Sequence, residues 1–257
     1  MIDINAYLGH FAFRQLRHNT AEALLRLMDS RRIDRAVVSS AAAITYRNAQ
    51  SANEELAAEI KSHRDRLIPF AVLNPAYAGW RHDLRVCSEE FGMRGLRIYP
   101  HWHAYKVDDA VCLELVREAA ARKMPVSIPF RVEDRRQQSW LVDIPDMTQQ
   151  EAIRIARAVP EAQFIFGNGS GFTGSELGRK NNGLPANYSI EISLLSSLAG
   201  NEVGQIIENL GAERVLFGTG MPFHYADGAL VSLQALDAPA ATKSKIAEGN
   251  ARRLLGL

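Results

Sequence analysis

The chain has 257 residues, 47% of them hydrophobic and 23% charged, and its 30 basic and 29 acidic side chains leave a net charge of +1. This composition is typical of a globular protein with a large core, and the interspersed charges argue against a nucleic-acid partner. No apolar run is long enough to cross a membrane, and the chain enters a strand at once, so we expect a cytoplasmic protein. Cys87 and Cys112 lack metal-type spacing and are expected to be buried thiols.

Short apolar runs alternate with helical patterns along the whole chain. In the first strand, alternation predicts that Ile2 and Ile4 face one side and that Asp3, Asn5 and Tyr7 face the other. Seven further strands are predicted at 35–40, 67–73, 95–99, 126–130, 164–166, 188–193 and 214–218. Helices are predicted after the N-cap Thr20, through 54–60, at 80–91, 107–122, 151–158 and 202–210, and from about 230 and 242 onward.

Eight strand–helix units at roughly thirty-residue spacing favour an α/β fold, the (β/α)8 TIM barrel. The competing fold is an open, doubly wound sheet, but no G-x-G-x-x-G sequence follows the first strand. No linker-like stretch divides the chain, so residues 1–257 are expected to form a single domain.

In such a barrel the working side chains lie at the C-terminal ends of the strands and in the loops that follow. The residues at these positions are Asn5, Tyr7, Ser39, Ser40, Asn74, Arg97, Tyr99, His101, His103, Pro129, Arg131, Glu133, Asp134, Asn168, Glu191, Ser193, Thr219, Gly220 and His224.

Six segments carry a resemblance to a known family. They are Ile2-Asp-Ile-Asn-Ala-Tyr-Leu-Gly9, Gly95-Leu-Arg-Ile-Tyr-Pro100, Met124-Pro-Val-Ser-Ile-Pro129, Phe164-Ile-Phe-Gly-Asn168, Leu216-Phe-Gly-Thr-Gly-Met-Pro-Phe223 and Gly249-Asn-Ala-Arg-Arg-Leu-Leu-Gly256. In this order the chain resembles the amidohydrolase superfamily, in its amidohydrolase-related, decarboxylase-type branch. The resemblance covers the whole chain and implies an amidohydrolase-like TIM barrel that uses a divalent metal.

The positions at which the family binds its metal carry other residues here. Asn5 and Tyr7 stand at the places of the two histidines that end the first strand, Pro129 and Asn168 at the places of two later histidines, and Gly220 at that of an aspartate that is both ligand and general base. A catalytic zinc site needs about three His, Cys or carboxylate ligands. We therefore expect no metal at the family position and no other cofactor.

A relocated metal stays open as an alternative. His101 and His103 are the only close histidine pair, and Glu133, Asp134, Glu191 or His224 could join them. The spacing of a pair in a loop that follows a proline is weak evidence, because a strand or helix usually holds metal ligands in position.

An enzyme without a metal needs another source of acid–base chemistry. The parity of the seventh strand places Glu191 inside the barrel, where burial can raise its pKa. Arg97 also faces inward and, with Arg131, could hold a substrate carboxylate; the alternative is an Arg97–Glu191 ion pair that fills the barrel. The candidate catalytic residues are Glu191, His103, His224 and Tyr7, and the candidate substrate-binding residues are Arg97, Arg131, Asn5, Asn168, Tyr99, His101 and Trp140.

Two loops add to these candidates. The charged segment 131–140 is either a solvated loop or a lid with Trp140 as its cover. The glycine-rich stretch 169–174 could present backbone N–H groups to an anion, with Arg179 and Lys180 nearby.

Two functional hypotheses follow. The first is an amidohydrolase-like hydrolase or lyase that acts without a metal on a small anionic lactone, amide or carboxylate. The second is an inactive pseudoenzyme that binds a small ligand or a partner protein through the barrel mouth. An open pocket with converging Arg, His and Glu side chains would favour the enzyme, and an apolar mouth would weaken it. A homo-oligomer is compatible with either hypothesis.

Overall fold

The computed structural model describes residues 1–257, which form eight strands and nine helices. The strands are β1 (Ile2–Leu8), β2 (Arg35–Ser40), β3 (Leu67–Val72), β4 (Gly95–Arg97), β5 (Val126–Pro129), β6 (Phe164–Gly167), β7 (Tyr188–Glu191) and β8 (Val215–Leu216). The helices are α1 (Ala21–Ser30), α2 (Gln50–Glu59), α3 (Trp80–Arg85), α4 (Ala110–Ala121), α5 (Gln149–Ala158), α6 (Glu202–Leu210), α7 (Ala226–Ala235), α8 (Ala240–Ser244) and α9 (Asn250–Leu255).

The strands form one parallel sheet in the order β1 to β8, and this sheet closes on itself. Closure comes from backbone hydrogen bonds between β1 and the segment around β8, in which Ile4 N donates to the Phe217 carbonyl at 3.0 Å and Tyr7 N to the Met221 carbonyl at 2.9 Å. Helices cover the outside, so the predicted TIM barrel is confirmed. No helix has the length and apolar character needed to cross a membrane.

The predicted strands are all present, but several element boundaries differ. β4 ends at Arg97 and β8 has two residues, although Ile98 N still donates to the Ser127 carbonyl and the Phe217 carbonyl still accepts from Ile4 N beyond these ends. The helix predicted for 80–91 is α3 followed by a π-helical turn, Val86–Glu90. Thr20 is an N-cap as predicted: its hydroxyl accepts a hydrogen bond from Ala23 N.

The expected alternation of β1 is wrong after Ile4: Ile2 and Ile4 share a face as predicted, but Asn5 lies on that same inner face instead of the opposite one. The pairing of β1 with β2 shifts register between Asp3 and Ala6, and such irregularities break the two-residue period of a strand. Ile4 packs with Ile2 in the interior cluster that contains Val37 and Phe70. The adjacent Asn5 also reaches the barrel interior, where its side chain contacts Glu191.

The barrel interior has three layers. The lowest is apolar and contains Ile2, Ile4, Val37, Ile68, Phe70, Ile165 and Leu216, closed from below by Ala251 and Leu255. A polar layer lies above it at the level of Arg97 and Glu191. The uppermost is a second apolar cluster, here called the mouth cluster, formed by Tyr7, Phe11, Leu16, Ala41, Ala42, Ala43, Ile44, Ala49, Ala52, Val72, Tyr99, Val132 and Phe223.

Candidate functional site

Glu191, at the end of β7, is the centre of the polar layer. Its Oε2 accepts hydrogen bonds from Asn5 Nδ2 at 3.1 Å, Asn168 N at 3.1 Å and Ser193 Oγ at 2.9 Å, and its Oε1 accepts one from Ser193 N. Asn5 Nδ2 also donates to Asn168 Oδ1 at 2.7 Å. A carboxylate offers about four acceptor sites, so the donors from these three segments fill the acceptor sites of the Glu191 carboxylate.

Burial raises the pKa of two carboxyl groups in this part of the barrel. The pKa of Glu191 is raised by loss of solvent, and the hydrogen bonds from Asn168, Ser193 and Asn5 oppose the rise. Burial raises the pKa of Asp3 to about 7 against the opposing hydrogen bonds from Thr219. Thr219 Oγ1 donates to Asp3 Oδ2 at 2.6 Å, which ties the first strand to the loop after β8.

Arg97 and Glu191 do not form an ion pair, so that alternative is wrong. The Arg97 guanidinium instead donates to Ser39 Oγ at 2.7 Å and to the Ala6 carbonyl at 3.2 Å. It also lies 4.5 Å from the centre of the Tyr7 ring, in a cation–π contact. Arg97 is fully buried in these contacts, and therefore does not form the expected clamp with Arg131 at the surface of the mouth.

The side chains at the family metal positions do not fit a divalent metal. Asn5 directs its amide N–H groups at Glu191 and Asn168, and Asn168 directs its own toward the Tyr7 hydroxyl at 3.4 Å and the Arg131 carbonyl at 3.1 Å. A cation requires lone pairs rather than N–H groups around it. No three His, Cys, Asp or Glu side chains in the protein are arranged to hold a metal ion.

His224 occupies the space of the missing side chain at position 220. A Cβ placed on Gly220 would lie 2.6 Å from His224 Cδ2 and 3.0 Å from Asn168 Oδ1. Gly220 has a φ of +70°, a conformation that glycine adopts without strain. The loop after β8 therefore brings an imidazole to the position where the family, by the resemblance above, carries an aspartate.

His224 is a neutral base with a free nitrogen. Burial, together with the positive charges of Arg131 and Arg14, lowers its pKa to about 4, against opposing contributions from Asp134 and from a hydrogen bond with the Val132 backbone. Its Nε2 is buried and has no hydrogen-bond partner. Such a nitrogen can accept a proton or a hydrogen bond from a bound molecule.

The mouth cluster closes the barrel above Glu191. Phe223 packs edge-on against both Tyr7 and Phe11, with ring centroids 5.0 Å apart in each pair. None of the five main cavities of the protein is lined by Asn5, Arg97, Asn168 or Glu191. In this conformation the centre of the family site is sealed from solvent.

The two histidines after β4 point to different parts of the protein, so the pair does not converge on one metal. His101 Nδ1 lies 2.9 Å from the Pro145 carbonyl and its Nε2 lies 2.8 Å from Glu151 Oε1. His103 Nε2 lies 3.0 Å from the Ala43 carbonyl, and burial lowers the pKa of His103. Both side chains hold loops in place.

The segment 131–147, here called the β5 loop, does not place Trp140 over the mouth. The Trp140 ring is 90% exposed, so it does not act as a cover in this conformation. Arg131 is half-buried at the edge of the mouth, with Nη2 3.4 Å from Ser170 Oγ. A small cavity of about 30 Å³ beside Arg131, Tyr99 and His101 has room for roughly one water molecule.

A larger cavity lies to one side of the barrel axis, between the loops that follow β1 and β8. This β1–β8 cleft has a volume of about 410 Å³. Its lining includes Arg14, Arg17 and His18 from the first loop and Phe223 and His224 from the last. Only His224 was among the sequence candidates. The sequence does contain one indication of the other basic lining residues. The run Arg14-Gln-Leu-Arg-His18 is a basic cluster in the first βα-loop.

Comparisons with known proteins agree with this architecture. No curated protein sequence matches the chain. The structure is similar to 2,6-dihydroxybenzoate decarboxylase from Rhizobium (22% identity, TM-score 0.77, 100% of this chain and 99% of that one). It is also similar to a dihydroxybenzoic acid decarboxylase from Polaromonas sp. JS666 with bound manganese and 2-nitroresorcinol (21%, 0.77, 100% and 98%). A third similar structure is 4-oxalomesaconate hydratase from Rhodopseudomonas palustris (16%, 0.71, 100% and 95%). At these identities the likeness shows the shared fold. A family model described as amidohydrolase matches residues 7–257, and the chain therefore belongs to the amidohydrolase family.

Proposed function

We propose that the chain is a hydrolase or lyase that acts on a small organic anion without a metal at the family position, with His224 in the role of the family's general base. The observation that carries this proposal is the position of the imidazole. It fills the space in which a side chain at position 220 would lie, and it lines a cleft large enough for a small substrate.

The proposed substrate class is a carboxylate, lactone or amide with a negative charge. Two of the structural neighbours are named for the decarboxylation of dihydroxybenzoates. In this chain the positive charges of Arg131 and Arg14 act on His224 and lower its pKa. An anion bound beside them would offset their field and make His224 a stronger base than it is in the free protein.

His224 would move one proton. In the hydrolysis of a lactone or amide, Nε2 takes a proton from the attacking water and returns it to the leaving oxygen or nitrogen. In a decarboxylation, His224 first takes up a proton from solvent when the anion binds. The C–C bond to the carboxylate then breaks, its electron pair stays on the remaining carbon and takes that proton from the imidazolium, and CO2 leaves. General acid–base catalysis by one positioned side chain contributes about 10²- to 10⁴-fold to a rate.

A second candidate function is ligand binding without turnover. It is favoured by the sealed mouth cluster and by Glu191, whose carboxylate is occupied by donors from Asn5, Asn168 and Ser193. In that case the cleft would bind an anion and His224 would contribute a hydrogen bond only.

The test is turnover by purified protein in the presence of EDTA, measured on hydroxybenzoates, lactones and amides. We expect product from at least one class, and a loss of about 10²- to 10⁴-fold in kcat for His224→Gln. His82→Gln is the matched control, since His82 is an exposed histidine on α3. Turnover that EDTA abolishes would refute metal independence, and absence of turnover with retained binding would favour the second function.

A further inference from the structure

We infer that the β1–β8 cleft is a binding site for an organic monocarboxylate with a compact apolar body, and that binding is coupled to proton uptake at His224. The inference rests on the proposed function only in that both take the β1–β8 cleft as the ligand site. It concerns binding, and it holds for a catalyst or for a protein without turnover.

The shape of the cleft suits a small molecule. Its volume of about 410 Å³ lies in the range of roughly 300–1,000 Å³ that is usual for ligand pockets. It lies beside the sealed mouth cluster rather than beneath it, and shares Leu16 and Phe223 with that cluster. A ligand could therefore enter the cleft without displacing the apolar layer that covers Glu191.

Part of the cleft lining is apolar. Leu16, Leu27, Pro222, Phe223 and Ala226 contribute to it, and Leu27 and Pro222 are the half-buried members of this set. This wall would hold the hydrocarbon part of a ligand.

The polar part of the cleft lining includes one cation without a carboxylate partner. Arg31 is paired with Asp227, with its Nε 3.0 Å and its Nη2 3.1 Å from the two carboxylate oxygens. Arg14 Nε lies 3.3 Å from Glu133 Oε2. Arg17 has no such partner and is exposed at the cleft. With one free guanidinium, the cleft is matched to a single carboxylate.

His224 gives the cleft a second polar contact. Its Nε2 is buried without a partner, a situation that costs free energy until a ligand or a proton satisfies the nitrogen. The charged groups that face the imidazole are Arg14 from the first loop and Arg131 and Asp134 from the β5 loop.

Anion binding should change the protonation of this histidine. In the free protein the arginine charges and burial keep the pKa of His224 near 4, so the imidazole is neutral at pH 6. A bound carboxylate offsets the arginine charges and prefers the protonated, donating form, which raises the pKa. Protons are then taken up on binding at a pH between the free and bound pKa values.

The test is isothermal titration calorimetry of the purified chain with benzoate at pH 6, in two buffers of different ionisation enthalpy, with benzamide as the uncharged probe. We expect saturable binding of benzoate, binding of benzamide that is at least about tenfold weaker, and a positive proton uptake. Arg17→Ala should weaken benzoate binding about five- to tenfold. Lys106→Ala, which removes an exposed cation elsewhere, should not.

His224→Gln separates the proton-coupled part of the inference from the rest. The variant should still bind benzoate, more weakly, and its proton uptake should fall to zero. Absence of saturable benzoate binding, equal affinity in Arg17→Ala, or proton uptake that persists in His224→Gln would overturn the inference. None of these measurements depends on turnover, so failure of the proposed reaction leaves the inference standing, and the reverse also holds.

Discussion

Replacing Glu191 with glutamine should destabilise the fold although the two side chains have the same shape. The carboxylate accepts hydrogen bonds from Asn5, Asn168 and two groups of Ser193. Glutamine keeps one acceptor oxygen and places an NH2 group against at least one of these donors. An unsatisfied buried donor costs about 1–3 kcal/mol, and loss of the negative charge weakens the remaining hydrogen bonds.

Removal of a buried charge acts in the opposite direction, because burial raises the pKa of Glu191 and so disfavours its ionised form. We therefore expect a net loss of about 2–3 kcal/mol in the free energy of unfolding for Glu191→Gln. For a chain of this length that corresponds to a decrease of roughly 5–10 °C in Tm.

Urea and thermal unfolding followed by circular dichroism would measure this loss. Ser189→Ala is the matched control, since Ser189 lies two residues earlier on the same strand, on the face that Glu191 shares, and a change within about 0.5 kcal/mol is expected there. A change of that small size in Glu191→Gln, or a gain in stability, would show that the donors do not hold the carboxylate as described.

Three further predictions concern pH, packing and loop opening. Folding raises the pKa of Asp3 from 3.8 to about 7, so the folded state retains a proton that the unfolded state releases, and the free energy of unfolding should fall as the pH rises from 4 to 7. In urea titrations at several pH values, Asp3→Asn should flatten this pH dependence. An unchanged pH dependence in Asp3→Asn would contradict the raised pKa of Asp3. Gly220→Ala should lower the free energy of unfolding by about 1–3 kcal/mol, since residue 220 has a left-handed backbone conformation and the new Cβ would clash with His224. The control Gly228→Ala, where a Cβ meets nothing within 4 Å, should cause no loss of stability. Burial alone would lower the pKa of His101, but its two hydrogen bonds raise it, so both ring nitrogens donate at low pH and hold the β5 loop. Limited proteolysis of the β5 loop should therefore be faster at pH 8 than at pH 6. Equal rates at the two pH values, or rates unaffected by His101→Gln, would refute this role of His101.

The barrel itself could be predicted from the sequence because strand and helix patterns alternate along the whole chain and parity decides which side chains face inward. Parity placed Glu191 and Arg97 inside the barrel, where the structure has them. Parity says nothing about which interior groups meet. Arg97 contacts Ser39 and the Tyr7 ring rather than Glu191, because these contacts depend on the stagger between strands.

The parts that could not be predicted lie in irregular backbone. The register shift in β1 brings Asn5 to the inner face beside Ile4, and no periodic pattern marks it. The imidazole of His224 reaches the place of residue 220 through a loop with a positive φ at Gly220, a conformation that spacing alone does not specify. The cleft depends on how two loops far apart in the sequence approach each other, which only the closed barrel determines.

Metal content tests the account's central claim most directly. The chain should be expressed in medium supplemented with manganese and zinc, purified without chelator, and measured by elemental analysis alongside Glu191→Gln. The donor set around Glu191 predicts far less than one metal ion per chain in both proteins. About one manganese or zinc ion per chain in the parent protein, lost in Glu191→Gln, would contradict the account.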